Sequence, residues 1–190
     1  MKTFWKWLPF VGVALILLSA VLLLIPVLQG QQAERLAQQL EQRLPQRITG
    51  YKGIYADPDM PVLGLDGTDY VGLLDLPGYG VKLPVAAQWD SGKLTTYPCR
   101  FWGSAYDGTL VIGGSADKGQ FEFCGRVDLG DRIRFTDMTG TEFDYQVAWV
   151  DRSSDAQSDW LMKEEYDLTL FTRDPYDLHY IAVRCDLLLD

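Results

Sequence analysis

Residues 142–150 read EFDYQVAWV. Phe143, Tyr145, Val147 and Trp149 alternate with Asp144, Gln146 and Ala148. A period of two is that of a strand with one dry face and one wet face. On either side, short apolar runs alternate with turn residues at close spacing. Strands are expected at Tyr70–Leu76, Val81–Val85, Thr109–Ile112, Arg132–Thr136, Glu142–Val150, Tyr166–Thr172 and Tyr180–Leu188. Asp107-Gly108 and Thr139-Gly140 suit tight turns. Leu110–Ile112 is a continuous apolar run, as in a strand covered on both faces. Seven or eight short strands within about 120 residues predict an all-β closed barrel or sandwich.

The rest of the chain divides by composition. Residues 8–28, LPFVGVALILLSAVLLLIPVL, carry no charge. About 20 such residues span a bilayer as a helix. Lys2 and Lys6 precede the run, and no acid occurs before Glu34. The positive-inside rule then puts residues 1–7 in the cytoplasm and the remainder outside the cell membrane. A cleaved signal peptide is the rival reading, but its apolar core is shorter, about 7–15 residues, and a small-residue cleavage site follows it. Here Gln29, Gly30, Gln31 and Gln32 follow, so a retained single-pass signal anchor is expected. Residues 29–48 read as a polar helix with Leu36, Leu40 and Leu44 on one narrow stripe, ended by Pro45. It is expected to be a stalk or to pack on the domain. Residues 49–69, rich in Gly, Asp and Pro, read as a connector to the domain at 70–190.

Composition narrows the chemistry. The 190 residues hold 17 basic and 26 acidic side chains, a net charge of −9. A nucleic-acid partner is disfavoured, because phosphate contact needs a clustered positive field. Six Trp, 10 Tyr and 8 Phe are enough to build a core and argue against disorder. Three cysteines show no C-x-x-C spacing. Gly78-Tyr79-Gly80 and Gly113-Gly114 are not phosphate loops before helices, and no serine sits in a G-x-S-x-G elbow. Asp57, Asp59, Asp66 and Asp69 offer oxygen ligands for Ca²⁺ but match no fixed loop motif. A solvated acidic loop is expected there, with neither metal nor cofactor. Asp151–Asp159 and Glu164-Glu165 are likewise expected to be solvated.

The order of motifs resembles the sortase family. The stretch 70–85, YVGLLDLPGYGVKLPV, resembles the family's I-G-x-L-x-I-P strand followed by L-P-V. Tyr97-Pro98 resembles its H-Y-P turn. Residues 108–133, GTLVIGGSADKGQFEFCGRVDLGDRI, resemble G-N-x-V-I-A-G-H-R followed by F-x-x-L-x-x-L-x-x-G-D-x-I. Residues 141–150 resemble its Y-x-Y-x-V strand. LTLFTR at 168–173 stands where sortases carry L-T-L-x-T-C, and YIAVRCDLL at 180–188 where they carry R-x-x-V-x-A-x-L. The resemblance covers nearly all of 70–190. It implies an eight-stranded barrel behind an N-terminal membrane helix. It also implies a cysteine transpeptidase of the Gram-positive cell envelope that joins secreted proteins to cell wall or pilin.

Sortase chemistry uses a Cys nucleophile, a His that moves protons and an Arg that holds the oxyanion or substrate. Aligned by the motifs, the His position is Ser115, the Cys position Arg173 and the Arg position Tyr180. A one-residue slip offers His179 for the last. Arginine stays protonated and cannot attack a carbonyl. Ser115, Arg173, Tyr180 and His179 are the candidate lining of a substrate groove. Asp174 and Asp177 are expected to pair with Arg173; alternatively Arg173 holds a peptide carboxylate. His179 and Cys185 are separated by about 20 Å of extended chain, too far for a dyad. Cys99 and Cys124 are expected as plain thiols, with a Cys99–Cys124 disulfide or an approach to His179 as alternatives. Three readings result. The first is a non-catalytic binding or scaffold module that grips an extended sorting-signal-like peptide or an envelope protein. The second is a divergent active transpeptidase or hydrolase. The third is a structural domain whose groove has closed.

Overall fold

The alternating stretch around Phe143 becomes the longest strand of a computed structural model that describes residues 15, 17, 19, 33–44, 48–49 and 59–189. Among these residues ten strands form: β1 (Ile48–Thr49), β2 (Leu63–Leu65), β3 (Thr68–Leu76), β4 (Val81–Ala86), β5 (Cys99–Trp102), β6 (Leu110–Gly113), β7 (Arg132–Asp137), β8 (Thr141–Ser153), β9 (Leu168–Arg173) and β10 (Tyr180–Leu187). Helix α1 covers residues 33–41, and α2 is the single turn Ser158–Leu161.

Pairing runs β8-β10-β9-β6-β5-β4-β3, and β7 joins β3 to β8. Eight strands thus close on themselves, as expected. β2 extends β3 through a hairpin at Asp66-Gly67, both residues in the left-handed region. β1 runs parallel to the start of β8. The barrel interior holds Val71, Leu74, Leu83, Val85, Ile112, Phe135, Phe143, Tyr145, Leu170 and Val183, all buried. Each such aliphatic or phenylalanine side chain contributes about 1.5–3 kcal/mol on burial. Asp137 fastens the β7–β8 turn. Its carboxylate is buried and accepts hydrogen bonds from the Tyr106 hydroxyl at 2.6 Å, the Thr139 hydroxyl at 2.7 Å and the backbone amides of Thr139 and Thr141.

Several expectations shift. β8 runs three residues past Val150, and β9 starts at Leu168 rather than Tyr166. β3 begins at Thr68, and β2 lies inside the expected connector. β5 was not signalled by any alternation. Helix α1 does not stand clear as a stalk. Ala37 and Leu40 are buried against Tyr70, Leu73, Ala86, Tyr97 and Cys99, with Leu36 and Leu44 alongside. Small alanines let the helix approach the sheet, so its buried stripe is wider than the leucine spacing suggested.

Of the apolar run 8–28, Leu15, Leu17 and Ser19 are described, and all three are helical; the rest of it lies outside the described residues, as do Pro45 and Asp57. Among the described residues no helix is long and apolar enough to cross a membrane.

Candidate functional site

Three strand ends meet at one mouth of the barrel. Arg173 ends β9 and Tyr180 begins β10, and the two are paired across the ladder. β6 lies parallel to β9 with Gly113 opposite Phe171. Ser115 and Arg173 each stand two residues further along. Two residues reach at most about 7 Å, so Ser115, Arg173 and Tyr180 fall within about 20 Å of one another. The amide of Gly114 donates to the Phe171 carbonyl at 3.1 Å, and the Thr172 hydroxyl donates to the Gly114 carbonyl at 2.8 Å. A Cβ on Gly114 would come within 2.7 Å of the Phe121 ring, so only glycine allows this approach.

Each side chain at the mouth has a local partner. The Ser115 hydroxyl donates to Asp117 Oδ2 at 2.5 Å. Arg173 donates Nε–H to the Leu178 carbonyl at 3.1 Å, and its guanidinium carbon lies 5.6 Å from the centre of the Tyr180 ring. Leu178 presents that carbonyl from a left-handed conformation, φ 62°. For a residue with a Cβ this conformation costs about 1–3 kcal/mol.

Asp174 and Asp177 do not pair with Arg173. Both approach Arg152 Nη1 at 3.4 Å, because the end of β8 lies beside the β9–β10 loop. The Tyr176 amide donates to Asp174 and, with Arg152, holds its carboxyl below the usual range. His179 is exposed in the same loop, its Nδ1 3.2 Å from the Asp177 carbonyl.

The thiols are elsewhere. Cys99, Cys124 and Cys185 are free and buried. Cys124 and Cys185 belong to the barrel core, whereas Cys99 packs in the cluster beneath α1. A Cys99–Cys124 disulfide is therefore absent. Burial pushes all three thiols up, Cys124 and Cys185 strongly. Thiolate is the reactive form, and Cys185 faces inward while His179 lies outside the barrel, so neither meets the other. Among the described residues no three His, Cys, Asp or Glu side chains gather as metal ligands.

The outer face of β6, β9 and β10 leads up to this mouth, and the chain itself covers it. Trp89 lies over Gly113, where an added Cβ would meet Trp89 Cζ3 and Phe171 Cζ at 2.6 Å. The Trp89 ring stacks on Phe171 with centroids 5.7 Å apart, and Phe101 meets both rings edge-on. The β8–β9 crossover covers the other half. Leu161, Trp160 and Met162 pack on Val111, Phe171, Ala182 and Tyr180.

Arg184, 0% exposed, fastens that crossover. It donates to the carbonyls of Leu161, at 2.9 Å, and Trp160, and to the Thr169 hydroxyl at 3.0 Å. Its guanidinium also lies 5.1 Å from the Trp160 ring centre. Asp151, expected to be solvated, accepts the Trp160 indole N–H at 2.7 Å. Arg152, Arg184 and Trp89 were not singled out from sequence. Their partners lie on other elements, and Trp89 sits in a stretch without periodicity.

No family model matches the chain, and no curated protein matches it. Solved structures do. Sortase A from Corynebacterium diphtheriae is similar over 87% of this chain and 86% of that one, at 19% identity and TM-score 0.56. A sortase D5 transpeptidase from Clostridium perfringens covers 64% of this chain and 80% of its own, at 21% identity and TM-score 0.55. A sortase C1 from Streptococcus suis covers 64% and 74%, at 22% identity and TM-score 0.53. At these identities the likeness is one of fold: the chain has the sortase barrel.

Proposed function

We propose that this sortase-fold chain is a membrane-anchored extracellular module of the Gram-positive envelope that binds rather than cuts. The apolar run 8–28 behind Lys2 and Lys6 supports the anchor and the orientation. The observation that carries the binding reading is the state of Arg173. It occupies the position the motif alignment sets against the nucleophile, and no thiol is exposed to replace it. Arg173 is also poised. One N–H is held by the Leu178 carbonyl and its face rests on Tyr180, so the side chain has lost rotamer freedom in advance. The acids nearby are taken by Arg152. The Nη1 and Nη2 of Arg173 thus offer the planar fork that receives a carboxylate in bidentate fashion.

The ligand class is an extended peptide or envelope-protein segment bearing a carboxylate at the mouth. The covered floor supports contact at that end of the face over threading along its length. Sortases, by contrast, are cysteine transpeptidases, and a divergent active enzyme remains the opposing reading.

The test compares fluorescent decapeptides, with a free C-terminal carboxylate and with an amide, binding to the full chain in detergent. The carboxylate form should bind about tenfold more tightly, and Arg173→Gln should erase that preference. Equal binding of the two forms to the unaltered chain would contradict the reading.

A further inference from the structure

We infer that the seam between β4 and β5 is a second binding site, separate from the Arg173 mouth, and that its ligand is a neutral saccharide chain. The seam is where the barrel is least well closed. β5 pairs with β6 along its length but with β4 only through Ala86 and Cys99. Beyond that point a side chain replaces the ladder: Arg100 donates to the Ala87 carbonyl at 3.0 Å and reaches the Gly103 carbonyl at 3.4 Å. The opening is a cleft of about 650 Å³, within the range of small-molecule sites, about 300–1,000 Å³.

Two indoles line it. Trp102 is 56% exposed and Trp89 is 39% exposed. Trp89 is fixed by its contacts with Phe171 and Phe101, so it offers a rigid surface and gives up no entropy on binding. Trp102 is set at the rim by Gly103, φ 69°, whose added Cβ would strike the Thr109 carbonyl at 2.0 Å. Indoles contribute at binding surfaces because one ring carries a large apolar area at little conformational cost.

The polar lining decides the ligand. Gln88, Arg100 and Asp107 line the same cleft. Asp107 Oδ1 accepts from the Thr109 amide and hydroxyl, while among the described residues nothing bonds its Oδ2 or the Gln88 amide. A carboxylate acceptor, an amide that both donates and accepts, and a guanidinium donor match the paired hydroxyls of a pyranose. Its C–H faces match the indoles. Asp107 in the cleft, on a chain of net charge −9, disfavours uronic or phosphorylated sugars. A peptide added as a strand is also disfavoured. β5 is bulged at Phe101, which spoils an edge for pairing, and the Arg100 guanidinium crosses where that strand would lie.

The experiment is calorimetric titration of the full chain, in a zwitterionic detergent without a sugar headgroup, with chitohexaose, cellohexaose and maltohexaose, and with a proline-rich decapeptide as rival. At least one hexasaccharide should bind with Kd below about 1 mM. Trp102→Ala and Gln88→Ala should each weaken it about tenfold without lowering the melting temperature. Trp149→Ala, which removes an exposed indole from β8 on the far side of the covered face, should leave it unchanged. The inference is overturned if no hexasaccharide binds, if neither Trp102→Ala nor Gln88→Ala weakens binding, or if the peptide alone binds in a Trp102-dependent way.

Discussion

Arg184 and Arg173 stand on adjacent strands of one face, each with its guanidinium over an aromatic ring, at 5.1 Å from Trp160 and 5.6 Å from Tyr180. There the likeness ends. Arg184 is sealed, and its N–H groups hold two crossover carbonyls and a threonine hydroxyl. Arg173 is exposed and gives one N–H to its own hairpin. Charge in the middle of the face is spent on architecture. Charge at its end is left facing solvent.

The largest expected effect breaks the architectural half. Arg184→Ala strips the crossover of its anchor and leaves buried carbonyls unpaired, which costs about 3–5 kcal/mol. Arg173→Ala should cost no more than about 0.5 kcal/mol, as for an ordinary surface position. Urea denaturation of both variants measures the contrast. Equal losses would erase it.

A smaller effect is expected where the middle of the face is covered. Gly113→Ala drives a methyl group against Phe171 and Trp89 at 2.6 Å. Overpacking of this kind costs about 1–3 kcal/mol. Near-ultraviolet circular dichroism should also lose the signal of the Trp89–Phe101–Phe171 cluster. An unchanged spectrum would mean that Trp89 does not rest there.

How the two halves read from sequence differs in the same way. β8 announced itself through Phe143, Tyr145 and Val147, because one buried face imposes period two. β6 announced itself as an unbroken apolar run, and all four of its residues are buried. β5 was silent: Cys-Arg-Phe-Trp is short, bulged at Phe101 and shares no alternation with its neighbours. The mouth was legible only through motif order, which brought Ser115, Arg173 and Tyr180 to neighbouring strand ends. Their partners were not legible. Asp174 and Asp177 looked like companions of Arg173 because they are close in sequence, yet Arg152 reaches them across the fold. Arg184 looked like one letter of a strand, since nothing local shows which carbonyls will need a donor.

The smallest expected effect lies at a turn away from this face. Tyr79 donates to Asp131 Oδ2 at 2.6 Å, and that bond, with some burial, raises its pKa from 10.0 to about 12. A folded pKa above the unfolded one stabilises fully below pH 10 and is lost as pH rises through 12. Tyr79→Phe should therefore be about 1 kcal/mol less stable at pH 8 and indistinguishable from the parent above pH 12. A gap that persists there would assign the effect to packing instead of the proton. Unlike the two arginines, this contact should leave ligand binding untouched.

The binding proposed for the exposed end of the face involves no covalent chemistry. Intact-mass spectrometry of the full chain, incubated with a panel of sorting-signal peptides and quenched in acid, tests it most directly. Unmodified protein is expected at every time point, because Arg173 is no nucleophile and Cys99, Cys124 and Cys185 are buried as thiols. An acyl adduct on any of those cysteines, abolished by His179→Ala, would contradict it and establish a working enzyme.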